Sequence, residues 1–349
     1  MSTFFPPQVD DEASVRPRWR LLRRLVAVLV VLVVLALVAV SVYAALLSHT
    51  FTQHVVRQPL LPDSGGLGQP SAGATAAAPT GSPRPPAGKT DAVNYVLMGS
   101  DSRIAADAGA GRSDTLMVLH LAADRKHAYL ISFPRDMYVA IPGRGKSKIN
   151  AAFSWGGPQL AVRTLEALLD TRMEHAALID FDGFTRLTDE LGGVTVYNKH
   201  ESTSRGYHFP SGEITVRGDQ ALAYVRERYE LPRGDLDRAE RQRDVVKAIL
   251  DKGLSPETVA NPVKFNGFVA GVAEHVVVDS ELSDSAIRST ALSLRMTGSD
   301  VRQLQAPISG FATIRGQSVD VVNHGQLREL SRALQEDTVE DYLDRHPGR

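Results

Sequence analysis

Between Ala92 and Phe133 the sequence reads AVNYVLMGSDSRIAADAGAGRSDTLMVLHLAADRKHAYLISF. Three short apolar runs stand in it, Ala92–Met98, Thr115–Leu121 and His127–Phe133, each bounded by Gly, Ser, Asp or Pro. Runs of this kind predict strands. The polar residues collect where those strands begin and end. Asp101 and Arg103 follow the first, Arg112 and Asp114 introduce the second, and Arg135 and Asp136 come after Phe133-Pro134 at the end of the third. Loops at strand ends are where α/β sheets gather ligands.

Downstream, Pro158 follows Gly156-Gly157 and predicts an amphipathic helix to about Asp170, with proline in the first turn, where its missing N–H is harmless. A strand over Ala176–Phe181 and a helix over Asp182–Leu191 come next, the helix closed by Gly192-Gly193 as a left-handed cap. A long helix over Leu236–Lys252, more helix near Val259–Ala273, strands near Val276 and Val301, and helices on both sides of Glu336 complete the pattern. There is no internal repeat. Strands alternating with helices predict a layered α/β domain of about 250 residues, with room for a substantial core.

Upstream the character changes. Leu25–Leu47 is 23 residues of Leu, Val and Ala interrupted only by Ser41 and Tyr43. As a helix it spans roughly 34 Å, enough for a hydrocarbon core of about 30 Å. Arg16, Arg18, Arg20, Arg23 and Arg24 precede it, whereas Arg57 is the nearest arginine after it. The excess of arginine on one side predicts a cytoplasmic N-terminus and an extracytoplasmic remainder. The run is too long for a signal-peptide core and no small-x-small cleavage site follows in register, so it reads as retained. From Gln58 to Thr90 the chain is Pro, Gly, Ala and Ser with three charges, Asp63, Arg84 and Lys89, and reads as a disordered tether. The expected organisation is a basic tail (1–24), a membrane helix (25–47), a linker (48–90), the folded domain (91–337) and a C-terminal helix or tail (338–349).

Composition removes several chemistries. There is no cysteine, so disulfides, thiol nucleophiles and thiolate metal sites are excluded. A formal charge of −1 gives no basic face for nucleic acid. The ten histidines show no zinc-protease spacing, and no Gly-x-Ser-x-Gly elbow is present. Ala140–Ser147 has part of a phosphate-binding P-loop, but Ala140 replaces its first glycine and Pro142 interrupts it. Lys146, Lys148 and Asn150 read instead as the border of an anionic site or as a solvated loop.

Two further clusters lie beyond. In Tyr224–Arg228 the two arginines, Arg226 and Arg228, share a side if the segment is extended. In Asp237–Gln242 helical spacing places Arg238, Arg241 and Gln242 on one face. Six arginines and six acids fall between Arg226 and Asp244, a balance that suits ion pairing as well as a ligand. Arginine's fork donates two hydrogen bonds to phosphate oxygens, and carboxylates bind the magnesium that bridges such oxygens. Arginines with a few aspartates are the residue set expected for a diphosphate held with a divalent cation.

Taken in order, these segments resemble the LytR-CpsA-Psr family of cell-wall glycopolymer ligases. The resemblance rests on Gly99–Arg103, Gly111–Val118, Ser132–Asp136, Lys148–Ala152 leading into Gly156-Gly157, Phe181–Phe184, Leu191–Val194, Ala221–Arg228 and Gly234–Gln242. It implies a short cytoplasmic tail, one membrane helix and an outer layered α/β domain with a central mixed sheet flanked by helices. It also implies transfer of a glycopolymer, of the teichoic acid, arabinogalactan or capsule kind, from a polyprenyl-pyrophosphate carrier to peptidoglycan at the membrane surface, with release of polyprenyl phosphate; the richness in Ala, Arg, Gly and Pro hints at a high-GC bacterium, where an arabinogalactan or a capsule-like glycan would be natural, but does not name the polymer. By motif match Asp101 and Asp114 would hold Mg2+ (or Mn2+). Arg112, Arg135, Arg226, Arg228, Arg238 and Gln242 would bind the pyrophosphate, Arg103 and Asp136 would support them, and Asp101 is the first choice of general base. Phe133 stands where the family often has isoleucine. Two rivals share the residue set: a pyrophosphatase that hydrolyses the lipid-linked precursor, and a membrane-bound regulator that binds it without turnover.

Overall fold

The computed structural model describes residues 55–63, 83–101, 113–259 and 261–347. The apolar run Leu25–Leu47 and residues Arg103 and Arg112 lie outside the described residues, within which no helix is long and apolar enough to cross a membrane.

A short strand β1 (Val56–Gln58) comes first. The three strands of the opening stretch follow as β2 (Val93–Ser100), β3 (Ser113–Leu121) and β4 (Ala128–Ser132), in consecutive antiparallel pairs. A hairpin of β5 (Tyr138–Ile141) and β6 (Gly145–Lys148) leads to α1 (Asn150–Leu169), β7 (His175–Asp180) and α2 (Phe181–Glu190). Next, β8 (Val194–Asn198) pairs with β11 (Gly212–Val216), and between them in sequence lies the hairpin of β9 (Ser202–Ser204) and β10 (Tyr207–Phe209). Helices α3 (Gly218–Arg226), α4 (Asp235–Gly253), α5 (Pro256–Val259) and α6 (Pro262–His275) precede β12 (Val277–Asp279) and α7 (Asp284–Ser293). The chain continues through β13 (Val301–Gln305), the hairpin of β14 (Ile308–Ile314) and β15 (Gln317–Val322), α8 (His324–Glu336) and α9 (Val339–Arg345).

Among the described residues, the principal sheet has the order β1-β12-β7-β2-β3-β4-β13 and is mixed. β2 runs parallel to β7, β4 to β13 and β1 to β12, while the other neighbours are antiparallel. Strand alternation sorts its two faces. Val96 and Val118 are register partners, fully buried in the core that α1, α8 and α9 cover with Leu165, Leu330 and Tyr342. The adjacent partners Leu97 and Met117 face the other way, toward α2, α3 and α4. A second core lies under α3 and α4, where Phe209, Tyr224 and Val245 pack against the β8–β11 pair.

Several expectations are corrected. The tether expected over 58–90 is bound at both ends. β1 adds an edge strand beside β12, Leu60 and Leu61 enter the main core, and Arg84 is buried against Glu166. Of the helix or tail expected over 338–349, the helix is present as α9, and Val339, Tyr342 and Leu343 bury it in that same core. Helix begins at Asn150, earlier than Pro158, and breaks at Gly156-Gly157, where Gly157 takes φ 64° and ψ −161° before Pro158 restarts it. The P-loop-like Ala140–Ser147 is the β5–β6 hairpin. Gly192 and Gly193 do adopt left-handed φ of 69° and 93°, and Gly193 N–H reaches back to Thr188 O at 2.9 Å.

Arg84 is the strongest anchor of the upstream segment. Its side chain and that of Glu166 are 3% and 2% exposed, Nη2 lies 2.8 Å from Glu166 Oε1, and the same nitrogen donates to Met173 O at 2.6 Å. Removing one partner strands a buried charge, so Arg84→Ala is expected to cost about 3 kcal/mol. Differential scanning calorimetry should show a drop in Tm of roughly 6–12 °C; a drop under about 2 °C would mean that the segment contributes little.

Candidate active site

Ser100 and Ser113 are register partners across β2 and β3, so Asp101, just past the end of β2, and Asp114, the second residue of β3, lie at the same end of the sheet. Arg135 follows β4 at that end. It donates from Nη1 to Asp114 Oδ1 at 2.9 Å and from Nε to Asp235 Oδ2 at 2.7 Å. Asp235, the first residue of α4, also meets Arg228 Nη1 at 3.3 Å and Arg238 Nη2 at 3.3 Å. Three arginines from three segments thus converge on one carboxylate.

Burial opposes the charged forms in this cluster, and the ion pairs prevail for two of them. Against its burial, Asp235 is held below the ordinary carboxylate range by Arg238, Arg135 and Arg228. Arg135, also opposed by burial, is raised by Asp235 and Asp114. Arg238 is lowered, chiefly by burial. A guanidinium starts so high that it keeps its charge at any physiological pH. Arg238 is only 6% exposed, and its buried Nε has no hydrogen-bond partner among the described residues. A buried charged donor without an acceptor is costly unless a ligand supplies one.

Beside this cluster opens an apolar cavity with about 690 Å³ of empty space, its open mouth included. Its walls are Leu97 and Met117 from the sheet and Phe184, Leu222 and Val246 from α2, α3 and α4. Its polar lining includes Asp114, Arg226, Arg238 and Gln242. Arg226 is the last residue of α3 and lies over the Phe181 ring at 4.4 Å, while Gln242 donates to Val225 O at 3.3 Å.

The site residues expected from sequence fall into groups. Asp114, Arg135, Arg228 and Arg238 are joined by ion pairs, and Arg226 and Gln242 border the same cavity. Asp136 contacts Lys148 Nζ at 3.0 Å and lies 3.9 Å from Arg135 Nε, a supporting position. Tyr224–Arg228 is not a strand: α3 runs through Arg226, and Glu227 beyond it is extended. Arg241 does not join Arg238 and Gln242. It stacks on Tyr224 at 4.4 Å and donates to Asn198 Oδ1, His200 O and Ser202 Oγ, so it braces β8 and β9. Asp235 was missed, although an acid three residues before Arg238 on one helix is a readable pairing signal.

Asp320 of β15 was also missed. It is 6% exposed and its Oδ2 has no partner among the described residues. Burial first, then the charges of Asp136 and Asp235, raise its carboxyl to about 6, against the pull of Lys148 and Arg135. The folded form binds this proton more tightly than the unfolded chain does, so stability falls as pH rises from about 4 through 6. Asp320→Asn is therefore expected to be near neutral at pH 4 and stabilising at pH 7.5, by up to about 2–3 kcal/mol. Denaturant titrations at the two pH values check this, and equal effects at both would sink it.

A family model described as the LytR_cpsA_psr family matches residues 71–336. The chain belongs to the LytR_cpsA_psr family. A relative from Bacillus mycoides, named polyisoprenyl-teichoic acid–peptidoglycan teichoic acid transferase TagU, is 42% identical over 168 residues. That match covers 48% of this chain and 54% of the relative, so the chain spans about half the length of that protein. Among solved structures, Bacillus subtilis TagV superposes with a TM-score of 0.61 at 27% identity, covering 72% of this chain and 98% of TagV. A structure described as TagT bound to LIIa-WTA superposes with a TM-score of 0.56 at 27% identity, covering 71% of this chain and 91% of TagT. The mixed central sheet flanked by helices is thus the fold of this LytR_cpsA_psr protein and of its solved relatives.

Proposed function

We propose that this chain is a phosphotransferase that attaches a glycopolymer from a polyprenyl-pyrophosphate carrier to peptidoglycan and releases polyprenyl phosphate. The observation that carries the reading is the apolar cavity with Arg226, Arg238 and Gln242 in its lining, beside the arginine cluster around Asp235. An amphiphile with a long hydrocarbon chain and a diphosphate head matches both parts. Each methylene buried in such a cavity contributes about 0.8 kcal/mol, and the arginine forks suit phosphate oxygens. The teichoic-acid transferase name of the Bacillus mycoides relative and the TagT structure with LIIa-WTA support a donor of this class.

In the proposed reaction a wall-sugar hydroxyl attacks the sugar-side phosphorus. A new oxygen–phosphorus bond forms, the bond to the bridging oxygen breaks, and polyprenyl phosphate departs with that oxygen. Asp101 would accept the hydroxyl proton. The arginines balance the charge that develops on the phosphoryl oxygens, an effect strengthened by partial exclusion of water. Asp101, just past β2, and Asp114, near the start of β3, lie at one end of the sheet and supply two hard oxygen donors that would hold Mg2+ or Mn2+. Such an ion would neutralise charge on the leaving phosphate.

Leu25–Leu47 would hold the domain at the outer membrane surface, where its lipid donor resides. A reporter fused to the C-terminus should therefore be active outside the cell; activity inside would reverse this topology. To test the reaction, the purified full chain in detergent is incubated with a polyprenyl-pyrophosphate glycan and an acceptor glycan. The expected product is the acceptor-linked polymer. Product formed with water and never with acceptor would replace the transferase reading by the pyrophosphatase.

A further inference from the structure

Arg243 of α4 follows Gln242 in the chain but takes no part in the ion-pair cluster or the cavity lining. It is 7% exposed, and its Nη1 donates to Ser132 Oγ at the end of β4. Its Nε is buried with no hydrogen-bond partner, and it makes no ion pair among the described residues. The acids whose charges reach it are engaged elsewhere: Glu240 pairs with Lys199 and Arg233, and Asp244 accepts from the Gln303 side chain. A guanidinium buried against a neutral hydroxyl contributes little net stability, because an apolar side chain of similar volume does as well or better. Stability therefore does not account for its place.

The bond joins the two elements that build the cluster around Asp235. Ser132 is the last residue of β4, and its register partner Met117 is a wall of the cavity, so its side chain faces α4. The link from Ser132 to Arg135 is stiff. Phe133 is buried and its N–H donates to Leu116 O at 2.9 Å, while Pro134, also buried and with φ fixed by its ring, accepts from Met137 N–H at 3.0 Å. On the other side of the bond, α4 carries Asp235, Arg238 and Gln242, and Asp235 stands about 12 Å along the helix axis from Arg243. Arg135 Nε and Asp235 Oδ2, 2.7 Å apart, thus belong to two elements that Arg243 ties together. Asp244 to Gln303 and Lys247 Nζ to Gly298 O, at 2.9 Å, tie α4 further from Asp235 along the helix.

We propose that Arg243 is a positioning residue: through Ser132 it fixes α4 against the end of β4 and sets the separation across which Arg135 meets Asp235. Its importance for the reaction rests on the transferase reading, whereas the positioning itself does not.

The test follows the Nε–H of Arg135 by heteronuclear NMR in the full chain in detergent, its signal identified by its loss in Arg135→Lys. Transfer kinetics and thermal unfolding accompany it. Arg243→Met removes the bond and keeps most of the volume. It should leave Tm within about 3 °C of wild type, displace the Arg135 signal, and lower kcat about 10- to 50-fold with donor KM within about 3-fold. Arg243→Lys, which keeps a donor facing Ser132, should recover most of the loss. In an Arg135→Ala background, adding Arg243→Met should cost less than about 2-fold more, because the residue through which it acts is gone. An equal loss in both backgrounds would mark Arg243 as merely structural and overturn the proposal. An unmoved Arg135 signal, or an unchanged kcat, would overturn it as well. Should Arg243→Met fail to fold, Ser132→Ala cuts the same bond from its other end and carries the same expectations. A wild-type chain that forms no acceptor-linked product, with the Arg135 signal still displaced in Arg243→Met, would overturn the transferase reading and leave the positioning standing.

Discussion

Arg135→Ala is expected to lower the rate of transfer to an acceptor glycan about 10³-fold at saturating donor. One side chain holds two carboxylates in place, through Nη1 to Asp114 and Nε to Asp235. Its loss leaves both half-buried acids without this partner, and on the proposed reading removes a donor to the phosphoryl oxygens of the donor lipid. Arg135→Lys decides between charge and geometry. A lysine keeps the charge, but its single nitrogen cannot span the two acids as the planar fork does. Tm close to wild type with a rate still about 10²-fold down is the expected outcome. Full activity in the lysine variant would show that charge alone suffices and that the fork is incidental.

Filling the cavity gives the second large effect. Leu222 lines it from α3, and Leu222→Trp would take up space that the reading assigns to hydrocarbon. Displacing four or five methylenes forfeits roughly 3–4 kcal/mol, about 10²- to 10³-fold in affinity for a long-chain donor. Inorganic pyrophosphate, which has no chain, should bind the variant within about 3-fold of wild type, since the ion-pair network is untouched. Equal losses for long-chain donor and for pyrophosphate would mean that the substitution distorts the rim, and that the cavity is no chain site.

The two experiments probe separate halves of the proposed amphiphile, and they differ in how they were foreseeable. Arg135 could be named from sequence because it directly follows an apolar strand, and strand ends on one side of a sheet converge whatever the rest of the fold does. Asp114 was legible for the same reason. Leu222 was not, because a cavity wall and a packed core have the same residue types. Only the register of Leu97 opposite Met117, together with the course of α3 and α4, shows on which side the empty space lies.

Arg241 shows the limit from the other direction. Helical spacing aligned it with Arg238 and Gln242, yet it turns to Tyr224, Asn198 and Ser202. A face some 100° wide holds residues that meet different neighbours, and spacing cannot say which neighbour each finds. Asp235 was overlooked for a related reason. Its importance lies in three partners, one after β4, one beyond α3 and one on its own helix; the Asp235–Arg238 spacing is legible locally, but the convergence of Arg135 and Arg228 on it leaves no local trace.

What the amino-acid sequence determined by itself was the alternation of strand and helix from Ala92 onward, the left-handed cap at Gly192-Gly193, and the placing of acids and arginines at strand ends. Each follows from interactions within a few residues: side-chain periodicity, backbone freedom and the end of an apolar run. Tertiary structure alone decided the rest. It drew Val56–Leu61 and Arg84 out of an apparently featureless tether into sheet and core, made Asp235 the meeting point of three arginines, and left an apolar cavity beside them. Those outcomes depend on which distant surfaces exclude water from one another, and that is settled only when the whole chain packs.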